Sequence, residues 1–232
     1  MDWWIDFAKG PLFAITFLIM LLGLTRHVFI QVYYLFFAKG ARLKNVPWNK
    51  MLKDMATWVV PVGHMIKGTR FFSVCSFVFH LALIVVGVFL VDHIVLWENL
   101  IGVSLPSIGR VFADWLTVIT IICIFGLLIF RTFVPRSRAM SRPMDYIILV
   151  AILLPVMFGF MAGHPGWNPF TWELSMLLHI LSGELVFILI PFTKLAHIVL
   201  FFFDRLSPIH WQLKPGAGDN VATALFGKEA KV

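Results

Sequence analysis

Five long apolar runs dominate the chain, at residues 11–37, 71–97, 115–133, 145–163 and 174–203. A helix of about 20 apolar residues crosses the hydrocarbon core of a bilayer. Within that core every backbone N–H and C=O has to find its partner inside the protein, so runs of this length fold as helices. The sequence therefore predicts an all-α integral membrane protein, a five-transmembrane-helix bundle. Of its 232 residues, 60% are hydrophobic and 13% charged, too little polar surface for a soluble domain of this size. The first, second and fifth runs are longer than a bilayer needs, so tilt or protrusion is expected. Residues 1–205 read as the membrane domain. Residues 206–232 include Pro208 and Pro215 and are too polar to span; they read as a cytoplasmic tail that docks on a partner subunit.

Lysine and arginine sort by side. Fourteen of the 19 fall between runs one and two, between runs three and four, or after run five, and Arg131 joins them at the inner margin of run three. The opposite side has only Lys9 and Arg110, while Arg26 and Lys194 lie within runs. Positive residues stay on the cytoplasmic side, so the N-terminus is expected outside and the C-terminus in the cytoplasm of a prokaryotic inner membrane. The basic balance implies no nucleic acid, because no basic stripe interleaved with aromatics is present. Cys75 and Cys123 each lie in an apolar run and read as buried structural thiols. Two thiols are too few to ligate an iron–sulfur cluster.

Ionisable residues within hydrocarbon are costly and mark function. Of eight histidines, His80 and His93 fall on run two, and His179 and His197 on run five. The two runs are antiparallel. At about 1.5 Å per residue, His80 matches His197 in depth near the inside, and His93 matches His179 near the outside. Two stacked bis-histidine sites suit two b haems, the inner held by His80 and His197 and the outer by His93 and His179. Both axial positions of each iron would be filled, so the chemistry is electron transfer. Zinc fits less well, because the pairs are separated along the membrane normal. Eighteen residues bring His179 and His197 back to one helical face, although Pro191 lies between them. The thirteen-residue step from His80 to His93 ends roughly 140° out of phase in a straight helix.

The residues of run five, His179, Gly183, Pro191, Phe192, Thr193, Lys194, Leu195 and His197, resemble the last span of the respiratory nitrate reductase gamma subunit family. The stretch VPRSRAMSRPMDYII at 134–148 is similar to the segment leading into that family's fourth span. The wider spacing of the run-two histidines looks more like the heterodisulfide reductase and sulfite-reductase-linked membrane subunits. The resemblance implies a dihaem cytochrome b subunit. It would exchange electrons between menaquinone or ubiquinone and a cytoplasmic iron–sulfur subunit, heterodisulfide reductase-like or associated with a molybdoenzyme. On that reading the chain does not act on a soluble substrate by itself.

Quinol oxidation needs proton acceptors near the outer haem. Asp92, Glu98, His164 and Glu184 are the candidates, with packing against a neighbouring helix the favoured role of Glu184. Arg26 and Lys194 are candidates for pairing with haem propionates, with snorkelling to the interface as the plainer role of Lys194. A haem-free transporter or structural anchor is the alternative. It would carry internal repeats or paired broken helices.

Overall fold

The computed structural model describes residues 1–36 and 70–203, together with Trp48, Asn49, Leu52, Lys53, Met55 and Thr223. The 206–232 tail, apart from Thr223, and most of the 38–69 interval lie outside the described residues. The helices are α1 (Asp2–Phe7), α2 (Phe13–Phe36), α3 (Arg70–Phe89), α4 (Val91–Ile101), α5 (Arg110–Phe133), α6 (Pro135–Met140), α7 (Pro143–Gly163) and α8 (Trp172–Phe192). Between α1 and α2, a π turn over Ala8–Leu12 carries Pro11, which has no N–H to give. Five helical segments among the described residues are long and apolar enough to span: Asp2–Tyr33, Arg70–Phe89, Arg110–Phe133, Pro143–Gly163 and Trp172–Phe192. The protein is a multi-pass, all-helical membrane protein.

The chain divides into two compact units, one formed by Met1–Ile19 and Gly63–Leu189, the other by Met20–Val62 and Ile190–Val232. In the first unit α5 packs against both α3 and α7. Ala113, Thr120, Cys123, Ile124 and Leu127 form its buried side, while Val111, Phe112, Trp115 and Ile122 are exposed, as a lipid-facing surface requires. The buried Thr120 hydroxyl donates to Leu116 O at 2.8 Å, so its own donor is satisfied. Gly126 lets α3 come close: a Cβ there would sit 3.2 Å from Phe71 Cζ. Cys75 and Cys123 are both free thiols.

Proline chemistry turns the corner from α5 to α7. Val134 is extended and Pro135 opens α6; Ser141 is extended, and Pro143 then opens α7. Proline suits a first helical turn, where its missing N–H costs nothing. The Asp145 carboxylate accepts the Arg142 N–H at 2.8 Å and caps α7. Arg131 braces this corner. It donates to Ser141 Oγ at 3.1 Å, lies 5.3 Å from the Phe72 ring centroid, and its carbonyl accepts the Tyr146 hydroxyl at 2.9 Å.

Two of the expected uninterrupted spans are broken. Run two does not continue as one helix to Trp97. It stops at Phe89, and Leu90 adopts an extended conformation (φ −59°, ψ 132°) before α4 begins. Leu90 there forms a single β-bridge with Ile108. Ile108 N–H donates to Phe89 O at 2.8 Å and Val91 N–H to Ile108 O at 3.3 Å. Residues 91–107 thus leave and return at one point, and Arg110 fastens to Asp92 just beyond it at 2.7 and 3.0 Å. Run five is interrupted at Thr193, which is extended and accepts Leu195 N–H through its hydroxyl at 3.2 Å. Pro191 cannot donate to the carbonyl one turn back, which weakens the helix end just before this break. A shorter apolar helix, Lys194–Phe203, follows.

In the second unit α2 meets the end of α8 at one tight contact. A Cβ on Gly23 would collide with the Pro191 ring. One turn on, His27 Nε2–H donates to Pro191 O at 2.8 Å. That carbonyl lies in the last turn of α8, where carbonyls lack intrahelical partners. His27 therefore contacts a neighbouring helix.

Candidate functional site

The break at Leu90 places His93. Because Val91 N–H turns to Ile108, the Gly87 carbonyl loses the donor that a continuous helix would bring it. His93 Nδ1 fills this gap, lying 3.1 Å from Gly87 O and 3.2 Å from Val86 O. The phase mismatch of a straight helix does not arise, since His93 belongs to a new helix with its own phase.

On α8, His179 Nδ1 donates to Pro155 O of α7 at 2.8 Å. Gly159, one turn along α7, makes room for the ring: a Cβ there would lie 2.8 Å from both Cε1 and Nδ1 of His179. The two imidazoles come together. Their planes are parallel to within 7° and their centroids are 5.9 Å apart.

These features bear on whether the pair fits a haem iron. Imidazole nitrogens bind first-row metals at about 2 Å. An iron held between the two Nε2 atoms would set the ring centroids roughly 6 Å apart, close to the observed separation and beyond face-to-face contact. In both rings Nδ1–H is committed to a backbone carbonyl, which leaves Nε2 as the nitrogen with an available lone pair. A hydrogen bond from one ring nitrogen to a backbone carbonyl fixes the tautomer of metal-ligating histidines. At Gly87 and Gly183 a Cβ would meet nothing within 4 Å, so open space adjoins both helices. The residues present fit a haem. No group of three or more His, Cys, Asp or Glu suited to a metal ion occurs among the described residues.

The other expected ligands lie in different units. His80 is on α3, with Nδ1 2.6 Å from Ser76 O and its ring against Phe79. His197 follows the turn at Lys194–Ala196, with Nδ1 2.8 Å from Lys194 O. Both therefore show the same Nδ1-to-carbonyl pattern as the outer pair. Arg26 and Lys194 are exposed.

The four proton-acceptor candidates are not brought to one place. Asp92 is held by Arg110 in an exposed, two-point ion pair, and the guanidinium keeps its carboxyl below the ordinary value of 3.8. That makes Asp92 a fastener and a poor proton acceptor. Glu98 is exposed, and its carbonyl caps α4 by accepting Gly102 N–H at 2.9 Å. His164 Nδ1 lies 2.9 Å from Phe160 O, and its Nε2 is 3.5 Å from Asp114 Oδ2. Glu184 is 4% exposed.

Asp114, Pro155, Gly159 and Trp97 were missed in the sequence. Trp97 had a signal: it follows His93 by one helical turn, and its indole can donate but not accept.

No family model matches the chain, and no solved structure matches it. A protein of Nitratidesulfovibrio vulgaris strain Hildenborough is 33% identical over 210 residues, covering 86% of this chain and 89% of that protein.

Proposed function

The chain belongs to the same family as that Nitratidesulfovibrio vulgaris protein, and we propose that it is a dihaem b-type cytochrome, the membrane subunit of a respiratory oxidoreductase. It exchanges electrons between membrane quinol or quinone and a cytoplasmic iron–sulfur partner, with its N-terminus outside the inner membrane of a prokaryote. The observation that carries this reading is the parallel His93–His179 pair, 5.9 Å apart, with both Nδ1 atoms bound to backbone carbonyls. For the inner haem the proposal rests on the depths of His80 and His197 in the sequence.

When bound, haem supplies reversible one-electron chemistry at iron. The chain's residues do the rest. Val86, Gly87 and Pro155 carbonyls orient the outer imidazoles. Gly159 admits the His179 ring, and the apolar helices exclude water. Histidine pairs at two depths would hold one haem each, at positions from which electrons could cross most of the bilayer.

A reduced-minus-oxidised absorbance spectrum of the purified full chain tests the proposal. A b-type alpha band is expected, diminished in His179→Ala. A wild-type chain that folds and shows no such band overturns the haem reading.

A further inference from the structure

Among the described residues, Glu184 Oε1 and Oε2 and Trp97 Nε1 are buried with no hydrogen-bond partner. An unsatisfied buried polar group costs about 1–3 kcal/mol; a native fold that leaves one in place calls for a reason. These groups are also complementary, since an indole N–H only donates and an ionised carboxylate only accepts.

One aromatic cluster joins their surroundings. Trp97 of α4 packs against Phe13 and Phe17 of α2, each at 5.7 Å between centroids. Phe187 of α8 packs against the same two rings at 5.7 and 6.2 Å. Glu184 precedes Phe187 by three residues and so shares its face of the helix. Thr16, buried between the two phenylalanines in sequence, is already satisfied by Phe13 O at 3.1 Å. The unpaired groups also flank the candidate haem ligands: Trp97 is four residues past His93, and Glu184 five past His179.

We propose that Glu184 and Trp97 form the head-group site for a quinol, with Trp97 Nε1–H donating to a quinol oxygen and the Glu184 carboxylate accepting a hydroxyl proton. A quinol hydroxyl both donates and accepts, so it can satisfy the two orphaned groups together. Phe13, Phe17 and Phe187 supply flat apolar surface for its ring. This assignment rests on the quinone-linked reading above. In the oxidation, the quinol breaks two O–H bonds and loses two electrons, becoming quinone. The two electrons would pass to the b haem that His93 and His179 would hold. One proton forms an O–H bond on Glu184 and the other goes to water at the same membrane face.

The test uses the full haem-loaded chain in nanodiscs, with menadiol or decylubiquinol as reductant in stopped flow and dithionite as the control. Glu184→Gln and Trp97→Phe should keep both b haems and reduce fully with dithionite. Menadiol should reduce the haem about 100-fold more slowly in Glu184→Gln, the usual cost of losing a proton acceptor. The loss should be about tenfold in Trp97→Phe, equivalent to one hydrogen bond. Glu184→Asp should recover part of the rate. Wild-type rates in both the Gln and Phe variants overturn the assignment while leaving the quinone-linked reading intact. A wild-type chain reduced by dithionite and by neither quinol overturns both. If the Gln variant does not fold, the wild-type infrared difference spectrum on adding menadiol decides. A carboxyl C=O change supports the assignment, and its absence overturns it.

Discussion

The imidazoles of His93 and His179 lie parallel within 7° at 5.9 Å, although their helices reach this arrangement by unrelated local means. His93 is aimed by a helix that ends early and frees the Gly87 carbonyl. His179 is aimed by a carbonyl on another helix, Pro155 O, across a residue that has no side chain. Each route fixes Nδ1 and leaves Nε2 for a ligand.

On the proposed dihaem reading, Gly159→Ala should act on the outer haem alone. Its methyl would start 2.8 Å from the His179 ring, so the imidazole or α7 has to move. Overpacking of this sort costs roughly 1–3 kcal/mol. We expect weaker retention of one b haem and an altered midpoint potential for what remains, read by pyridine haemochrome assay and redox titration. Unchanged content and potential would refute the seating of His179 described here.

Gly23→Ala should lower thermal stability through a different contact. The added methyl collides with the Pro191 ring, which is too stiff to swing away. A loss of about 1–3 kcal/mol is expected, detectable as a lower melting temperature in detergent. His27→Ala should add a separate loss of about 1 kcal/mol by removing the bond to Pro191 O.

Asp92→Asn should leave both haems in place and quinol-driven reduction near normal, because Asp92 is occupied by Arg110. Its folded carboxyl titrates below the ordinary 3.8. The pair's contribution is therefore complete above that value and fades as pH falls through the lower folded value. At neutral pH the variant should melt slightly below wild type, because the exposed pair is formed there and is worth little. Unfolding on the acid side should show wild type losing stability where Asp92→Asn does not.

Asp114→Asn probes the His164 contact. With Nδ1 against Phe160 O, His164 turns Nε2 toward Asp114 at 3.5 Å. Removing the carboxylate should cost a few tenths of a kcal/mol to about 1 kcal/mol, read as a small fall in melting temperature in detergent, the usual worth of a partly exposed polar pair. No change would mean that the two groups do not interact.

The spans were legible because hydrocarbon permits so few structures: all five expected runs contain a spanning helix. The pairing of His93 with His179 was also legible, from depth alone. Their aim was not. Leu90 carries no local breaker, and its extended conformation depends on Ile108, a residue remote in sequence. Thr193 follows Pro191 closely, so that break had a local warning. Gly159 reads as an ordinary membrane glycine until His179 is placed over it. Glu184 stood out in the sequence as a carboxylate within hydrocarbon, whereas Trp97 became notable only through its unmet hydrogen bond, which is visible only after packing.

The meeting of Leu90 and Ile108 has a further consequence. Residues 91–107 form an inset stitched shut at its base, so the two spanning helices that border it are joined almost as if the inset were absent. Segments anchored this way can lengthen or shorten during evolution without shifting the scaffold. Relatives should accordingly differ most in length beyond α4, while the stitch, His93 beside it and Trp97 one turn on keep their register.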